Sequence, residues 1–208
     1  MECVLPGFLK IKWFKTLVLF IFGLVFAGLL LGIYGVVVAY PRLPPLDSLT
    51  SYKPKIPLKI YSTEGDLIGE FGEERRSYVT IDQVPEALKQ AIIAAEDDRF
   101  YTHRGIDFFG IGRAIIANFA AGSLRQGAST ITQQVARNFF LSSEKTLIRK
   151  FKEALLAFKI EKSLSKDQIL EIYINQIYLG QRAYGFAAAA QTYFGKKLNK
   201  LSLGEIAM

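Results

Sequence analysis

The 208-residue sequence contains a single cysteine, Cys3, and a single histidine, His103. One cysteine excludes a disulfide within the chain, and the two residues together cannot supply the ligands of an ordinary His/Cys zinc site. A Ser-His-Asp triad would have to pass through His103. Any chemistry that the chain performs must therefore use carboxylates, amides, hydroxyls or basic side chains.

The composition excludes a disordered chain, because half of the residues are hydrophobic. The longest apolar run, residues 16–40, holds 25 residues without a charge. This exceeds the roughly 20 residues that cross a bilayer, and it is too long for a signal peptide, whose apolar core is about 7–15 residues and ends at a small-residue cleavage site. We therefore predict an uncleaved transmembrane helix at residues 16–40.

The basic residues are placed unevenly around this run, with three lysines on one side and one arginine on the other. Three precede it and only Arg42 follows it closely, so the positive-inside rule predicts a cytoplasmic tail at residues 1–15 and an extracytoplasmic remainder. Five of the seven prolines fall within residues 41–57, which predicts an extended linker to a folded domain at residues 58–208. The remainder is basic, which suits anionic lipid headgroups or an anionic lipid-linked substrate better than nucleic acid on that side of a membrane.

The pattern after the linker predicts a short β-hairpin followed by a mainly α-helical domain. Residues 56–62 and 67–71 flank a turn, and apolar residues then recur at helical spacing. The predicted helices cover residues 85–99, 106–121, 144–162, 165–179 and 185–193, with another that begins near residue 129. Ser202 and Glu205 form a capping-box pattern with three residues left to build a helix, which predicts a fragment of a longer protein, cut inside a domain.

Three segments combine side chains suited to catalysis and binding. Residues 96–105 read EDDRFYTHRG, three adjacent acids before the only histidine; the alternative is a solvated helix end. Residues 127–138 read GASTITQQVARN, and their hydroxyls and amides beside an arginine suit sugar or phosphate oxygens; the alternative is an ordinary helix cap. Arg149 and Glu153 are four residues apart, which alone is typical of a surface pair worth about 0.3–0.5 kcal/mol.

Together, and in this order, the segments resemble the motifs of the peptidoglycan glycosyltransferases, glycosyltransferase family 51. The first three motifs correspond to Glu96-Asp97-x-x-Phe100-x-x-His103-x-Gly105, Gly127-x-Ser129-Thr130-Ile131-Thr132-Gln133-Gln134 and Arg149-Lys150-x-x-Glu153. Residues 166–175 and 185–196 resemble the fourth and fifth motifs. The resemblance covers about residues 56–208, includes the upstream anchor, and is greatest for class A penicillin-binding proteins of the 1A type. It implies a mainly α, lysozyme-like fold.

The resemblance also implies a reaction, in which the 4-hydroxyl of an incoming lipid II attacks C1 of the growing glycan and undecaprenyl pyrophosphate leaves. Glu96 is then the general base, and Glu153 is a second carboxylate that supports the site and the leaving group or its metal. Asp97 is implied as a ligand of a divalent cation, Mg²⁺ or Mn²⁺, and no organic cofactor is expected. The residues implied to bind substrate and pyrophosphate are Ser129, Thr130, Gln133, Gln134, Arg137, Asn138, Arg149 and Lys150. Those implied to support the motifs structurally are Phe100, His103, Gly105 and Gly127.

The partners implied are lipid II, the growing glycan strand, the membrane and other cell-wall synthesis proteins, without nucleic acid. The expected location is the bacterial cytoplasmic (inner) membrane, with the catalytic domain in the periplasm. The apolar helix at residues 106–121 is expected to dip into the bilayer through Phe108, Phe109, Ile115, Ile116 and Phe119.

Two other interpretations of the sequence compete with a function in glycan synthesis. A lysozyme-like enzyme that cleaves glycans would also use a glutamate, but it has no need of a pyrophosphate site. A membrane-anchored scaffold would have no need of Glu96 and Glu153.

Two Ser-x-x-Lys sequences, which begin at Ser142 and Ser163, lack the other motifs of a penicillin-acylated serine. We interpret both serines as helix caps and expect the complete protein, a bifunctional transglycosylase and transpeptidase, to bind penicillin elsewhere.

Overall fold

The computed structural model describes residues 7–50, 58–65, 67–72, 74–123, 127–141 and 146–208. The chain divides into two compact units, with the boundary between Leu43 and Pro44. Several predicted features lie outside the described residues: the second half of the linker at 51–57, the turn residue Asp66, and the Ser-x-x-Lys sequence formed by Ser142 and Lys145.

The first unit is built on one long helix, α1 (Gly7–Ala39), which continues into a 3-10 turn at Tyr40–Arg42. Within the described residues, the segment Trp13–Arg42 is the one helix long and apolar enough to cross a membrane, judged by length and composition. α1 begins upstream of the predicted residue 16, because lysines are good helix formers and extend the apolar run without a break. The prediction of a single candidate transmembrane helix is confirmed, while its orientation stays a prediction.

The prediction of an extended linker is wrong for residues 44–50. A short helix, α2 (Asp47–Thr50), forms here, and Leu46 and Leu49 are buried. The carbonyl of Pro44 accepts a 2.9 Å hydrogen bond from Nζ of Lys159. Proline fixes the backbone locally but does not prevent neighbouring leucines from reaching a core, so this stretch packs as part of the second unit.

The hairpin is confirmed. Strand β1 (Leu58–Tyr61) pairs antiparallel with β2 (Leu67–Phe71), and Leu58 lies opposite Phe71. A second sheet, absent from the sequence prediction, joins β3 (Arg75–Arg76) to β4 (Ala183–Tyr184) in parallel. Strands of two residues are too short to leave an alternating pattern, so only the tertiary structure reveals this pairing.

The helical part follows the predicted order. The helices are α3 (Glu86–Glu96), α4 (Phe108–Ala121), α5 (Ile131–Phe140), α6 (Leu147–Ser163), α7 (Lys166–Gln176), α8 (Phe186–Phe194) and α9 (Leu203–Ile206), with 3-10 turns at Ile81–Gln83 and Leu198–Lys200. Side chains of Asp107, Thr130, Thr146, Ser165 and Ser202 cap five of these helices.

Three helix boundaries differ from the prediction by three residues, and one cap also differs. α3 ends at Glu96 and α7 at Gln176, each three residues early, and α6 begins at Leu147, three residues late. The interpretation of Ser163 as a helix cap is wrong, because it is the last residue of α6, and Ser165 caps α7.

Helix α5 lies at the centre of the second unit and contacts both α6 and α7. Its first six residues, Ile131 to Ala136, are all buried, whereas an amphipathic surface helix would bury only one stripe. Its neighbours contribute fully buried apolar side chains, among them Leu156, Ile160, Ile169 and Leu170. The central position of α5 fixes the backbone of the second sequence motif against the rest of the domain.

Candidate active site

An open cleft of about 720 Å³ lies beside the end of α3, the middle of α4 and the start of α5. Its wall carries three acids and two arginines, namely Glu96, Asp97, Asp98, Arg113 and Arg137. Apart from Ala94 and Ala95, its lining residues are polar or glycine, including Ser129, Gln134 and Gly127. The cleft is therefore suited to a hydrophilic, partly anionic substrate rather than to an apolar one.

Glu96, the last residue of α3, is exposed at the edge of this cleft. Its Oε2 accepts a 2.7 Å hydrogen bond from Nε2 of Gln134. Within the part of the chain that the structure describes, Oε1 accepts no hydrogen bond. A carboxylate held through one oxygen, with the other open to the cleft, is well arranged to accept a proton from a bound hydroxyl.

Asp97, the next residue, is buried and has a different environment. Both of its carboxylate oxygens lie 2.9 Å from Nε2 of His103, and Oδ2 also accepts a 3.1 Å hydrogen bond from the backbone N–H of Ile131. Asp97 thereby joins the end of α3 to His103 and to the first turn of α5. The ring of His103 contacts the carboxylate that links these two elements, and its predicted structural role stays a prediction.

The predicted divalent cation does not fit these side chains as they are arranged. The described residues contain no group of three or more His, Cys, Asp and Glu side chains that could hold a metal ion. The oxygens of Asp97 are already engaged with His103 and Ile131, and Glu153 accepts from two cations. Asp97 as a metal ligand stays a prediction, and no step proposed below depends on a metal.

Glu153, on α6, is 1% exposed and forms a cluster with two less buried cations, Arg149 and Lys150. It accepts hydrogen bonds from Nη1 of Arg149 and, at 2.9 Å, from Nζ of Lys150. Lys150 also donates to Oγ of Ser129 at 2.7 Å, and Ser129 lines the cleft. Glu153 itself is absent from the cleft lining. Its contacts are with Lys150 and Arg149, which it holds in place behind the wall.

The pKa of the Lys150 ammonium is lowered, first by burial and then by the charges of Arg137 and Arg149. Both arginines are therefore close enough to Lys150 for their charges to disfavour its protonated form. Within the described residues, the guanidinium of Arg137 forms no hydrogen bond or ion pair, although the residue lines the cleft. It is available to a ligand.

We expect the lowered pKa of Lys150 to limit activity at alkaline pH. As the pH rises, Lys150 loses its proton at a lower pH than an ordinary lysine, whose pKa is about 10.4, and one cation disappears from the site. Lys150→Arg keeps its charge throughout this range and is expected to move the alkaline loss of rate to higher pH. A pH–rate profile of both proteins measures this, and identical alkaline limbs would contradict it.

Two residues of the second motif form the cap of α5. Thr130 donates from Oγ1 to the carbonyl of Gly105 at 2.6 Å and accepts from the N–H of Gln133 at 3.1 Å. Oε1 of Gln133 in turn accepts a 3.0 Å hydrogen bond from the N–H of Thr130. Gln133 is thus placed in the cap, not in the cleft wall, and exposed Asn138 also lies outside the cleft lining. Their predicted contacts with substrate have no support in this geometry.

Gly105 and Phe100 support the same region. Gly105 has φ +87°, and a Cβ added there would meet the backbone of Ala157 on α6 at 3.0 Å, so a side chain would separate the two segments. Phe100 is fully buried, with its ring edge-on to that of His103 and Nζ of Lys166 4.5 Å from its centre. Both contacts support the packing of this region, and the structural role of the two residues stays a prediction.

Three residues of the site were not assigned from the sequence. Asp98 and Arg113 line the cleft and form a bidentate pair. Tyr173 on α7 is buried, and the pKa of its hydroxyl is raised by that burial and by the nearby charge of Glu96. One signal was available: Arg113 is the only charged residue of α4.

The comparisons with known proteins agree on one family. The transglycosylase family model matches residues 64–208. Penicillin-binding protein 1A of Neisseria flavescens is 62% identical over 186 residues, which are 89% of this chain and 23% of that protein. Penicillin-binding protein 1A of Escherichia coli K12 is 53% identical over 182 residues, 88% of this chain and 21% of that protein. The chain spans about a quarter of the length of such relatives.

A crystal structure of penicillin-binding protein 1A from Haemophilus influenzae is also similar, with 29% identity over 74% of this chain and 13% of that chain and a TM-score of 0.33. The matched family model includes the whole cleft, with Glu96 at its edge and the Glu153 cluster behind it. On this evidence the chain belongs to the transglycosylase family.

Proposed function

We propose that the protein is a peptidoglycan glycosyltransferase, which polymerises lipid II into glycan strands and releases undecaprenyl pyrophosphate. The observation that carries this is one cleft with an exposed carboxylate, Glu96, held by Gln134, and a separate set of cations. Arg137 lines the cleft, while Arg149 and Lys150 are held behind it by Glu153. Hydrolysis of a glycan needs only the carboxylates, whereas transfer from a pyrophosphate also needs the cations.

In the proposed step, Glu96 takes the proton of the 4-hydroxyl of an incoming lipid II. The freed oxygen forms a bond to C1 of the growing glycan as the bond from C1 to the pyrophosphate oxygen breaks. Gln134 orients Glu96 through their 2.7 Å hydrogen bond.

The leaving pyrophosphate accumulates negative charge as the bond to C1 breaks. Arg137 can bind two of its oxygens side by side, and Lys150 brings a point charge next to Ser129. Because Glu153 is buried and accepts hydrogen bonds from Arg149 and Lys150, it fixes the positions of these two cations before the substrate arrives, so that little reorganisation is needed in the transition state.

The proposal is tested with the full-length protein and purified lipid II. Long glycan chains are the expected product. Shortening of glycan made beforehand, without growth from lipid II, would instead support the lytic alternative and overturn the proposal. A protein that neither lengthens nor shortens glycan would support the scaffold.

The proposed location is the outer face of the bacterial cytoplasmic membrane, with residues 1–15 in the cytoplasm. The proposed partners are lipid II, the glycan strand and the membrane. Because the relatives are named penicillin-binding proteins and are about four times longer, we further propose that the complete protein is bifunctional and that penicillin binds outside this chain.

Helix α4 supports the membrane location. Its apolar residues at 108, 109, 115, 116 and 119 share one helical face, and all are exposed, with Phe119 reaching 90%. An apolar stripe of this size on a folded domain indicates contact with a membrane or another protein. A membrane accounts for it here, because the proposed substrate is anchored in the bilayer.

We expect serine substitutions along this face to weaken binding to lipid vesicles. The test uses a variant that lacks residues 1–40, so that α1 cannot mask the effect, and replaces Phe108, Phe109, Ile115, Ile116 and Phe119. Sedimentation with vesicles measures the bound fraction. Leu203→Ser, at a residue that is 74% exposed on α9, is the matched control and should bind as before. Unchanged vesicle binding after the five substitutions would refute the membrane contact.

A further inference from the structure

Arg113 is the one charged residue of the fourteen in α4, and it lines the cleft together with Glu96. The helix otherwise carries the apolar stripe described above. A lone arginine at the cleft on such a helix places a cation where a lipid-linked substrate would pass from the membrane to Glu96.

Arg113 forms an ion pair with Asp98 that a bound anion can replace. Its Nη1 and Nη2 donate to the carboxylate of Asp98 at 2.9 and 3.2 Å. The two side chains are 53% and 46% exposed, and ion pairs this accessible to water are weak. A pyrophosphate offers the guanidinium the same two-oxygen geometry with more negative charge than a carboxylate. It can therefore replace Asp98.

The reaction proposed above brings together two pyrophosphate-bearing molecules at Glu96, and the cleft wall carries two arginines on different helices, Arg113 on α4 and Arg137 on α5. One part of its wall includes Gln134 and Arg137. A smaller cavity of about 40 Å³, which also touches Glu96, is lined by Gly110 and Arg113 but not by Arg137. The cations of Arg137, Arg149 and Lys150 lie together and serve the leaving pyrophosphate. Arg113 is therefore the cation that remains for the pyrophosphate of the incoming molecule.

We infer that Arg113 binds the pyrophosphate of the incoming, nucleophile-bearing substrate, and that Asp98 is its counter-ion in the free protein, displaced when the substrate binds. This assignment rests on the proposed function and adds a specific residue to it. Asp98 and the substrate then compete for the same guanidinium. Removing Arg113 weakens substrate binding, whereas neutralising Asp98 strengthens it.

The test measures initial polymerisation rates of the full-length protein against lipid II concentration. Arg113→Gln is expected to raise KM about tenfold or more, the usual loss for a charged hydrogen bond, with a much smaller change in kcat. Arg113→Lys should recover part of the loss. Asp98→Asn should lower KM. Arg104→Gln, at an exposed arginine outside the cleft lining, is the matched control and should leave KM unchanged.

The outcomes are separable. An equal rise of KM in Arg113→Gln and Asp98→Asn would overturn the inference, because it would show that the pair acts only as a structural link. An unchanged KM in Arg113→Gln would overturn it as well. If Arg113→Gln does not fold, as judged by its melting temperature, the direction of the change in Asp98→Asn decides. If the unchanged protein forms no glycan, the proposed function fails, and the inference fails with it.

Discussion

Glu96→Gln is expected to reduce the rate of glycan polymerisation about 10²–10⁴-fold, the contribution typical of a general base. Glutamine has the shape of glutamate, and its amide can still bond with Gln134, which holds Glu96 at 2.7 Å. The amide cannot accept the proton of an attacking hydroxyl. Since Glu96 is exposed at the end of α3, little stability depends on its charge. The loss should therefore fall on kcat and not on folding.

Polymer formation from lipid II and the melting temperature should be measured on the same preparation of Glu96→Gln. Glu86→Gln, at an exposed glutamate in the first turn of the same helix, is the control and should retain full rate. An unchanged rate in Glu96→Gln would remove Glu96 from the reaction. A large fall in melting temperature would instead assign it a structural role.

Glu153→Ala is expected to cost both stability and activity. Glu153 is 1% exposed and neutralises Arg149 and Lys150. Removing it leaves two neighbouring cations without their anion, and breaking a buried pair in this way costs about 3–5 kcal/mol. Lys150 is 45% exposed, so water screens part of this repulsion, and a cost near 3 kcal/mol is expected. The displaced cations also no longer define the pyrophosphate site.

Urea or thermal unfolding checks the stability of Glu153→Ala, and lipid II polymerisation checks its rate. Glu86→Ala, which removes an exposed carboxylate and its surface pair with Lys89, should change stability far less. The two glutamates of the site thus have different signatures: Glu96→Gln loses rate without stability, and Glu153→Ala loses both. A Glu153→Ala protein with normal stability would contradict the expected contribution of the buried Glu153 carboxylate to the free energy of unfolding.

Helix starts were predictable because their signals are local. Ser165 and Ser202 each precede a Gln or Glu by three residues, and both form the capping boxes that this spacing indicates. The linker was not predictable in the same way. Five prolines indicate an extended chain, but the burial of Leu46 and Leu49 depends on apolar surface contributed by residues distant in the sequence.

In the candidate site, too, some features follow from local sequence and others depend on residues distant in the sequence. Gln133 and Gln134 are adjacent and equally polar, and the family resemblance implied that both bind substrate. On a helix, neighbours point about 100° apart, and in the structure Gln133 closes the cap of α5 while Gln134 reaches Glu96. Asp98 and Arg113 are fifteen residues apart, and only the packing of α4 beside the end of α3 brings them together.

By itself, the sequence determined the single apolar span, the order of the helices and the family motifs, because these depend on composition, periodicity and spacing along the chain. The tertiary structure decided where each motif residue lies and what it contacts. It placed Asp97 on His103 and on the N–H of Ile131, 34 residues away. It placed Glu153 behind the cleft wall and not in it. Such contacts are set by how helices pack against one another, and local sequence patterns do not encode that packing.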